Sequence, residues 1–145
     1  RTLILEPTRE LAAQAAEGFD KYGKYQKLTK ALLIGGVSFG DQDALLARGV
    51  AFDAVFAASD LIAIGALRAL HAAGLRTPDD VAVAGFDDLP AAAMANPPLT
   101  TVAQDVARGG AALVGALLAR IENRDVGDRL LPARLVVRQS CGATA

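Results

Sequence analysis

The chain has 145 residues, of which 52% are hydrophobic, and a formal net charge of −1 from 15 basic and 16 acidic side chains. This length and apolar content suit one compact domain with a sizeable core. The balanced charges form no basic stripe that could bind a phosphate backbone, so DNA binding is not expected. The longest apolar stretch, 61–75, is shorter than the roughly twenty residues of a membrane span, and the single Cys141 can form no internal disulfide. We therefore expect a soluble, cytoplasmic protein.

Short β-rich runs alternate with helical patterns, as is typical of a parallel sheet covered by helices on both faces. The first strand is predicted at 3–6. Thr8 is predicted to cap a helix that ends near Gly23. A second strand is predicted at 28–34 and a short helix at 42–48. These elements make up one βαβ unit at the start of the chain.

The rest of the chain continues the alternation. The predicted elements are a strand at 54–58, a helix from Ser59 or Asp60 to about Ala73, a strand at 81–86, a loop at 87–90, a strand at 100–103, a helix capped by Asp105 and an edge strand at 135–137. Because parallel crossovers are right-handed, we predict a flavodoxin-like strand order 2-1-3-4-5, with an additional edge strand. The fold class is then a three-layer, doubly wound α/β domain that occupies residues 1–145.

The first part of the chain carries two short motifs, PTRELAAQ at 7–14 and GGVSFG at 35–40. In this order they resemble the first RecA-like domain of DEAD-box RNA helicases, over about residues 2–42. The resemblance implies that loop residues face an RNA backbone, namely Thr8, Arg9, Gly35 and Gly36. The chain has no GxxxxGK[ST] phosphate loop and no Asp-Glu-Ala-Asp tetrad, so we expect neither ATP binding nor helicase activity. Helix capping by Thr8 and weak residual RNA binding remain as alternatives.

A longer pattern begins at about Ala44. It comprises FAASDLIAIGALRALHAAGLRTPDDVAVAGFDDLP at 56–90, PLTTV at 98–102 and LPARLVVRQS at 131–140. This part resembles the periplasmic-binding-protein-like lobe of lac-repressor-family regulators, in which two flavodoxin-like lobes close around a sugar, purine or similar effector. The resemblance implies that Ser59, Asp60 and Asp87 lie in the effector cleft, and that Asp87 accepts hydrogen bonds from ligand hydroxyls. All three residues follow predicted strands, and ligands of open α/β sheets bind outside the carboxyl ends of the strands.

The lac-repressor pattern also has departures. The family usually has Asn where this chain has Ser59, which shortens the polar reach of that position. A single lobe leaves much of a ligand in water, so any binding should be millimolar or weaker.

The two resemblances meet near residue 43. We therefore expect an engineered chimera of a fragment 1–43 and a fragment 44–145, combined in one domain without evolved catalytic activity. The alternative is an effector-binding half-domain that retains weak sugar or nucleoside affinity.

An acidic group of Glu6, Asp60, Asp87 and Asp88 follows the predicted strands. Such a group could hold Mg²⁺ through oxygen ligands, as phosphorelay receivers do. The Lys that those receivers need after the fifth strand is missing from 102–104. We expect neither a metal nor a cofactor.

The predicted helix at 61–73 is apolar nearly all round, which is typical of a helix that is deeply buried or part of an interface. The lac-repressor resemblance implies a homodimer contact formed by Leu67, Leu70, Ala91 and Met94. No other protein partner is expected.

Overall fold

The computed structural model describes residues 2–25 and 52–143. The elements in chain order are β1 (Thr2–Leu5), α1 (Arg9–Tyr22), β2 (Ala54–Ala57), α2 (Asp60–Ala72), β3 (Ala82–Ala84), α3 (Pro90–Met94), β4 (Thr101–Gln104), α4 (Val106–Ile121), β5 (Ala133–Val136) and a final 3-10 turn (Gln139–Cys141). The strand predicted at 28–34 and the helix predicted at 42–48 lie outside the described residues.

The strands β1, β2 and β3 form a parallel sheet in that order. Leu3 lies opposite Val55, and Val55 lies opposite Val83. Isolated parallel bridges from β3 and its following loop, including Ala84 to Thr100, bring β4 alongside. β5 then pairs antiparallel with β4. The prediction that the first strand lies beside the strand near Val55 is confirmed, and so is the additional strand after α4.

Capping side chains fix where three helices begin. Thr8 Oγ1 accepts a hydrogen bond from Leu11 N at 3.3 Å at the start of α1, and Ser59 Oγ accepts one from Ile62 N at 3.3 Å at the start of α2. Asp105 Oδ1 does the same for α4, accepting from Arg108 N at 2.9 Å. Each bond satisfies an amide that the helix itself leaves without a partner. The predicted caps are confirmed at all three helices.

The short helix α3 is absent from the sequence prediction, which assigned a loop around Pro90. Proline fits the first turn of a helix because its missing N–H has no intrahelical partner there, and the following residues are three alanines and Met94. The amide of Leu99 donates to Ala92 O at 2.8 Å, which ties the chain after the helix back onto it. The predicted loop at 87–90 was therefore wrong at Pro90, and the helix over 91–94 was not predicted.

The core lies between the sheet and α2. Its members are buried apolar residues: Val55, Ala57, Ala63, Leu67, Leu70, Val81, Val83, Ala92 and Leu99. Leu67 is 5% exposed and Leu70 is 7% exposed. These two side chains were expected at a dimer contact, and that part of the expectation is wrong because they already pack inside their own domain. Met94 is exposed and Ala91 is half-buried, so both lie nearer the surface.

Helix α4 differs from α2 in how little of it is covered. Among the described residues of α4, Ala119 is the buried one, whereas Val106, Leu113 and Ile121 are all more than two thirds exposed. An open groove of about 580 Å³ runs between α4 and 126–131. Within 2–25 and 52–143, no helix is long and apolar enough to span a membrane.

Candidate ligand site at the carboxyl ends of the strands

The candidate site is built around the segment 85–89, which follows β3 and which we call the Asp87 loop. The amide of Asp60, at the start of α2, donates to Phe86 O at 2.8 Å. The amide of Asp87 donates to Val102 O in β4 at 2.9 Å. The Asp87 loop is thus held between the end of β2 on one side and β4 on the other. This is the sheet edge where α/β proteins bind ligands.

Asp60 anchors this loop from inside the protein. Its side chain has no exposed surface. Its Oδ1 accepts a hydrogen bond of 2.6 Å from the hydroxyl of Thr101, and its Oδ2 accepts one of 2.7 Å from the amide of Leu89. Because both oxygens are used by protein donors, Asp60 supports the Asp87 loop and does not face a cleft. This corrects the role that the resemblance implied for it.

Gly85 makes room for that carboxylate. A Cβ built on Gly85 would overlap Asp60 Oδ1 and would also lie 3.0 Å from Leu99 Cδ2 and 3.2 Å from Ala63 Cβ. The close approach of the backbone to Asp60 therefore requires glycine at this position. It explains in physical terms why a glycine precedes Phe86 and the two aspartates.

Asp87 and Asp88 have unusual backbone conformations. Their φ angles are +109° and +55°, in a region that residues other than glycine seldom adopt. Asp87 is partly exposed, and its Oδ1 accepts a hydrogen bond of 3.1 Å from Gln104 Nε2. Within the described residues no group bonds its other carboxylate oxygen. Asp87 therefore presents an acceptor at this edge of the sheet.

Asp88 makes an ion pair with Arg138, which comes from the segment after β5. Arg138 Nη2 lies 2.7 Å from Asp88 Oδ1, and Arg138 Nη1 donates to Leu99 O at 2.8 Å. The two side chains are 20% and 24% exposed. Arg138 neutralises Asp88, whereas within the described residues no cationic side chain pairs with Asp87, so the two neighbouring aspartates differ.

The segment carrying Arg138 is itself bonded to the sheet. The buried hydroxyl of Ser140 donates to Val83 O at 2.6 Å and accepts from Thr100 N at 2.8 Å. The amide of Arg138 donates to Thr100 Oγ1 at 2.8 Å. The end of the described chain therefore closes the sheet behind the Asp87 loop.

Ser59 keeps a polar group at the same edge. Its hydroxyl oxygen caps α2, and its side chain is partly exposed. A serine hydroxyl that accepts a capping bond still has a proton to donate. Ser59 and Asp87 thus supply donor and acceptor groups at the ends of β2 and β3.

Sequence reasoning missed Thr101 and Arg138. Both stand inside motifs that were noticed, PLTTV and LVVRQS, but nothing in a linear pattern shows that either residue reaches the Asp87 loop. The separation along the chain is 41 residues for Thr101 and Asp60 and 50 for Arg138 and Asp88.

The residues expected near RNA phosphates are only partly described. Thr8 caps α1, which is the alternative interpretation of that residue. Arg9 is the first residue of α1, and its side chain lies outside what the structure describes. Gly35 and Gly36 lie outside the described residues.

The acidic group does not form a metal cage in the described ranges. In residues 2–25 and 52–143, no three His, Cys, Asp or Glu side chains are placed to hold one ion. Asp60 is bonded to Thr101 and Leu89, and Asp88 to Arg138. Asp60 and Asp88 thus have separate protein partners and do not share a ligand site with each other.

Comparison with known proteins identifies the family. The sequence model of one protein family, the periplasmic binding protein-like domain, matches residues 3–141. Three curated relatives are similar: the transcriptional repressor MelR of Bacillus subtilis, 46% identical over 94 residues; the transcriptional regulator CelR of Thermobifida fusca, 40% identical over 130 residues; and the transcriptional repressor PurR of Haemophilus influenzae, 35% identical over 148 residues. These matches cover 64%, 79% and 93% of this chain, and the chain spans 27%, 37% and 44% of the relatives' lengths.

Solved structures show the same likeness. A lac repressor dimer bound to operator and the anti-inducer ONPF superposes with a TM-score of 0.78 at 32% identity, over 99% of this chain and 53% of that one. A complex of the transcriptional regulator CelR with cellobiose gives a TM-score of 0.76 at 32% identity, over 97% of this chain and 46% of that one.

These comparisons do not support the predicted change of family near residue 43. One family model runs across that position, and the 93% of the chain matched by PurR exceeds what 44–145 alone could supply. They give no sign of a helicase fragment or of a chimera. The physical reason is that the first motif is short and local: a strand end, a proline and a capping threonine are common to many α/β folds. The chain therefore belongs to the periplasmic binding protein-like domain family and has the α/β lobe found in lac-repressor-family regulators.

Proposed function

We propose that this chain is an effector-binding lobe of a lac-repressor-type transcriptional regulator, without catalytic activity of its own. The observation that carries the proposal is the presentation of Asp87. Its carboxylate lies at the carboxyl ends of parallel strands, partly exposed, on a loop that Asp60 holds from behind. Relatives named as transcriptional regulators or repressors, one of them solved with cellobiose, support it.

The chemistry of the edge favours a polyhydroxylated ligand, namely a sugar or the ribose of a nucleoside. An ionised carboxylate accepts hydrogen bonds and donates none, so Asp87 selects hydroxyl donors. The Ser59 hydroxyl can donate to a ligand oxygen. Asp88 adds no second charge because Arg138 neutralises it.

A second lobe completes the site in this proposal. The chain spans about half of each solved chain that it matches. We place the companion lobe over the carboxyl ends of the strands, where Ser59 and Asp87 lie, with the ligand enclosed between the two lobes. Alone, the present lobe should then bind only weakly.

The test is a titration of the chain with cellobiose, ribose, lactose and adenosine, each followed by NMR amide shifts. We expect shifts in 59–60 and 85–89 for at least one ligand, and Asp87→Asn should weaken that binding about tenfold or more, the range for losing a charged hydrogen bond. The matched control is Asp53→Asn, at the opposite end of β2. If none of the four ligands shifts these residues, or if both variants bind like the wild type, the proposal is wrong.

A dimer contact through α3 is a second proposal, now limited to Ala91 and Met94. Met94 is 79% exposed, although methionine is usually buried in folded proteins. It lies one helical turn from the half-buried Ala91. Light scattering at high micromolar concentration should show a dimer that Met94→Asp dissociates. A monomer at that concentration for the unmodified chain would contradict it.

A further inference from the structure

We propose that Arg138 is a positioning residue for ligand binding, which acts through Asp88 to hold Asp87 in its binding conformation. This inference rests on the proposed function for its ligand. It assigns a role to a segment that is distant in sequence from the loop and does not touch Asp87 itself. The argument starts from the backbone of the Asp87 loop.

Two successive residues of the loop, Asp87 and Asp88, have positive φ angles. Neither has the freedom of glycine, so both conformations persist only where the surroundings fix them. Such conformations concentrate at functional sites, where they preorganise a group for its ligand. What fixes the Asp87 loop therefore decides where the Asp87 carboxylate points.

The backbone of the Asp87 loop is held by hydrogen bonds to neighbouring elements. Asp87 N donates to Val102 O at 2.9 Å, and Leu89 N donates to Asp60 at 2.7 Å. Between them Asp88 N lies 3.4 Å from Thr101 Oγ1, the longest of these contacts. The backbone of Asp88 is accordingly the least firmly held point of the loop.

The side chain of Asp88 supplies the missing restraint. Its Oδ1 lies 2.7 Å from Arg138 Nη2, while Nη1 of the same guanidinium donates to Leu99 O at 2.8 Å. A planar guanidinium holds its donors in a rigid fork, so the two bonds fix the position of Asp88 relative to Leu99. Lysine would keep the charge but lose this fixed geometry.

Arg138 can act as a restraint because its own backbone is fastened. Its amide donates to Thr100 Oγ1 at 2.8 Å, and the Thr100 hydroxyl lies 3.1 Å from Arg138 O. Ser140, two residues on, is buried and bonded to both β3 and Thr100. The 138–140 segment thus forms a fixed base, and Arg138 extends from it to the loop.

The test compares Arg138→Lys and Arg138→Gln with Arg120→Gln. Arg120 is the matched control because its ion pair with Asp125 is exposed, at 64% and 92%. Two quantities are measured on the whole chain: the φ angle of Asp87 from NMR couplings without ligand, and the affinity for cellobiose, ribose and lactose titrated separately. We expect Arg138→Lys to weaken sugar binding three- to tenfold and to displace the Asp87 φ angle, while Arg120→Gln changes neither.

A purely structural role for Arg138 would lower the melting temperature without moving either quantity. Retention of both the Asp87 φ angle and sugar affinity in a folded Arg138→Lys or Arg138→Gln protein would overturn the proposal. The proposed function fails separately, if the unmodified chain binds neither these three sugars nor adenosine. In that case the φ angle of Asp87 in the Arg138 variants still decides whether Arg138 positions the loop.

Discussion

The hydroxyl of Thr101 donates a 2.6 Å hydrogen bond to the carboxylate of Asp60, 41 residues earlier in the chain, in a fully buried contact. The same hydroxyl oxygen lies 3.4 Å from the amide of Asp88. One side chain of β4 thereby connects the start of α2 with the loop after β3. Asp60 and Thr101 are buried polar groups that the fold satisfies completely, which is the condition under which burial of such groups is tolerated.

We predict that Thr101→Val destabilises the protein. Valine has nearly the same shape but removes the donor to Asp60, and leaving a buried charged acceptor short of a partner costs about 1–3 kcal/mol. Urea unfolding of the variant should show a lower midpoint with an unchanged slope. Thr2→Val, at an exposed position of β1, is the control and should lie within about 0.5 kcal/mol of the wild type. Equal unfolding free energies for the two variants would argue against the role given to Thr101.

A second prediction concerns Gly85. The methyl group of Gly85→Ala would overlap the Asp60 carboxylate and crowd Leu99, so we expect a loss of about 1–3 kcal/mol from overpacking. The same change at Gly65, in α2, meets nothing within 4 Å and should raise stability by about 0.5–1 kcal/mol, since alanine is the better helix former. Thermal and urea unfolding measure both. A neutral Gly85→Ala would show that the backbone does not pack against Asp60 as described.

A third prediction compares a buried and an exposed leucine of α2. Leu70→Ala removes a side chain that is 7% exposed and should cost about 2–5 kcal/mol. Leu61 is 67% exposed, and Leu61→Ala should change the unfolding free energy by less than about 0.5 kcal/mol. The comparison also tests whether Leu70 belongs to the core, because removing a side chain that only formed a dimer contact would dissociate the dimer without lowering the stability of the monomer. Unfolding and light scattering on the same samples distinguish these outcomes.

The turn after α2 gives a prediction about pH. Arg76 donates to Asp80 from its backbone amide at 2.8 Å and from its side-chain Nε at 3.0 Å. These bonds, the side-chain one first, lower the pKa of Asp80 from 3.8 to about 2. A carboxylate whose pKa is lowered by folding stabilises the folded state above its unfolded pKa, and this stabilisation is lost as the pH falls toward the folded value.

The melting temperature of the wild type relative to Asp80→Asn should therefore be constant above about pH 5 and should converge between about pH 4 and pH 2. The pair lies at the surface, so added salt should reduce the difference. A difference that stays constant down to pH 2 would show that Asp80 does not have the lowered pKa.

Much of this fold could be predicted because its signals are local. Thr8, Ser59 and Asp105 begin helices through bonds to amides three residues away, and Gly74 ends α2 with a φ of +76°. The apolar strand near Val55 and the strand near Val83 follow from composition, and their parallel pairing follows from the helix between them. The family pattern of the longer part also pointed to the correct fold.

The wrong predictions concern burial and family membership, which a pattern of neighbouring residues does not determine. The apolar surface of α2 is compatible with both a core and an interface, and Leu67 and Leu70 turned out to be core. Asp60 and Asp87 are both aspartates that follow a strand, so nothing in the sequence shows that one is buried and the other partly exposed. The short motif at 7–14 suggested a second family, which the comparison over 3–141 does not support.

By itself the sequence determined the strands and the longer helices of the described residues, because capping, turn chemistry and hydrophobic periodicity act within a few residues. It did not predict the short helix α3. Only the tertiary structure decided which polar side chains meet. Arg138 reaches Asp88, and Thr101 reaches Asp60, because β4 and the segment after β5 lie next to the Asp87 loop. Such contacts depend on packing between elements far apart in the chain. They use the carboxylates of Asp60 and Asp88 to hold the loop and leave Asp87 partly exposed.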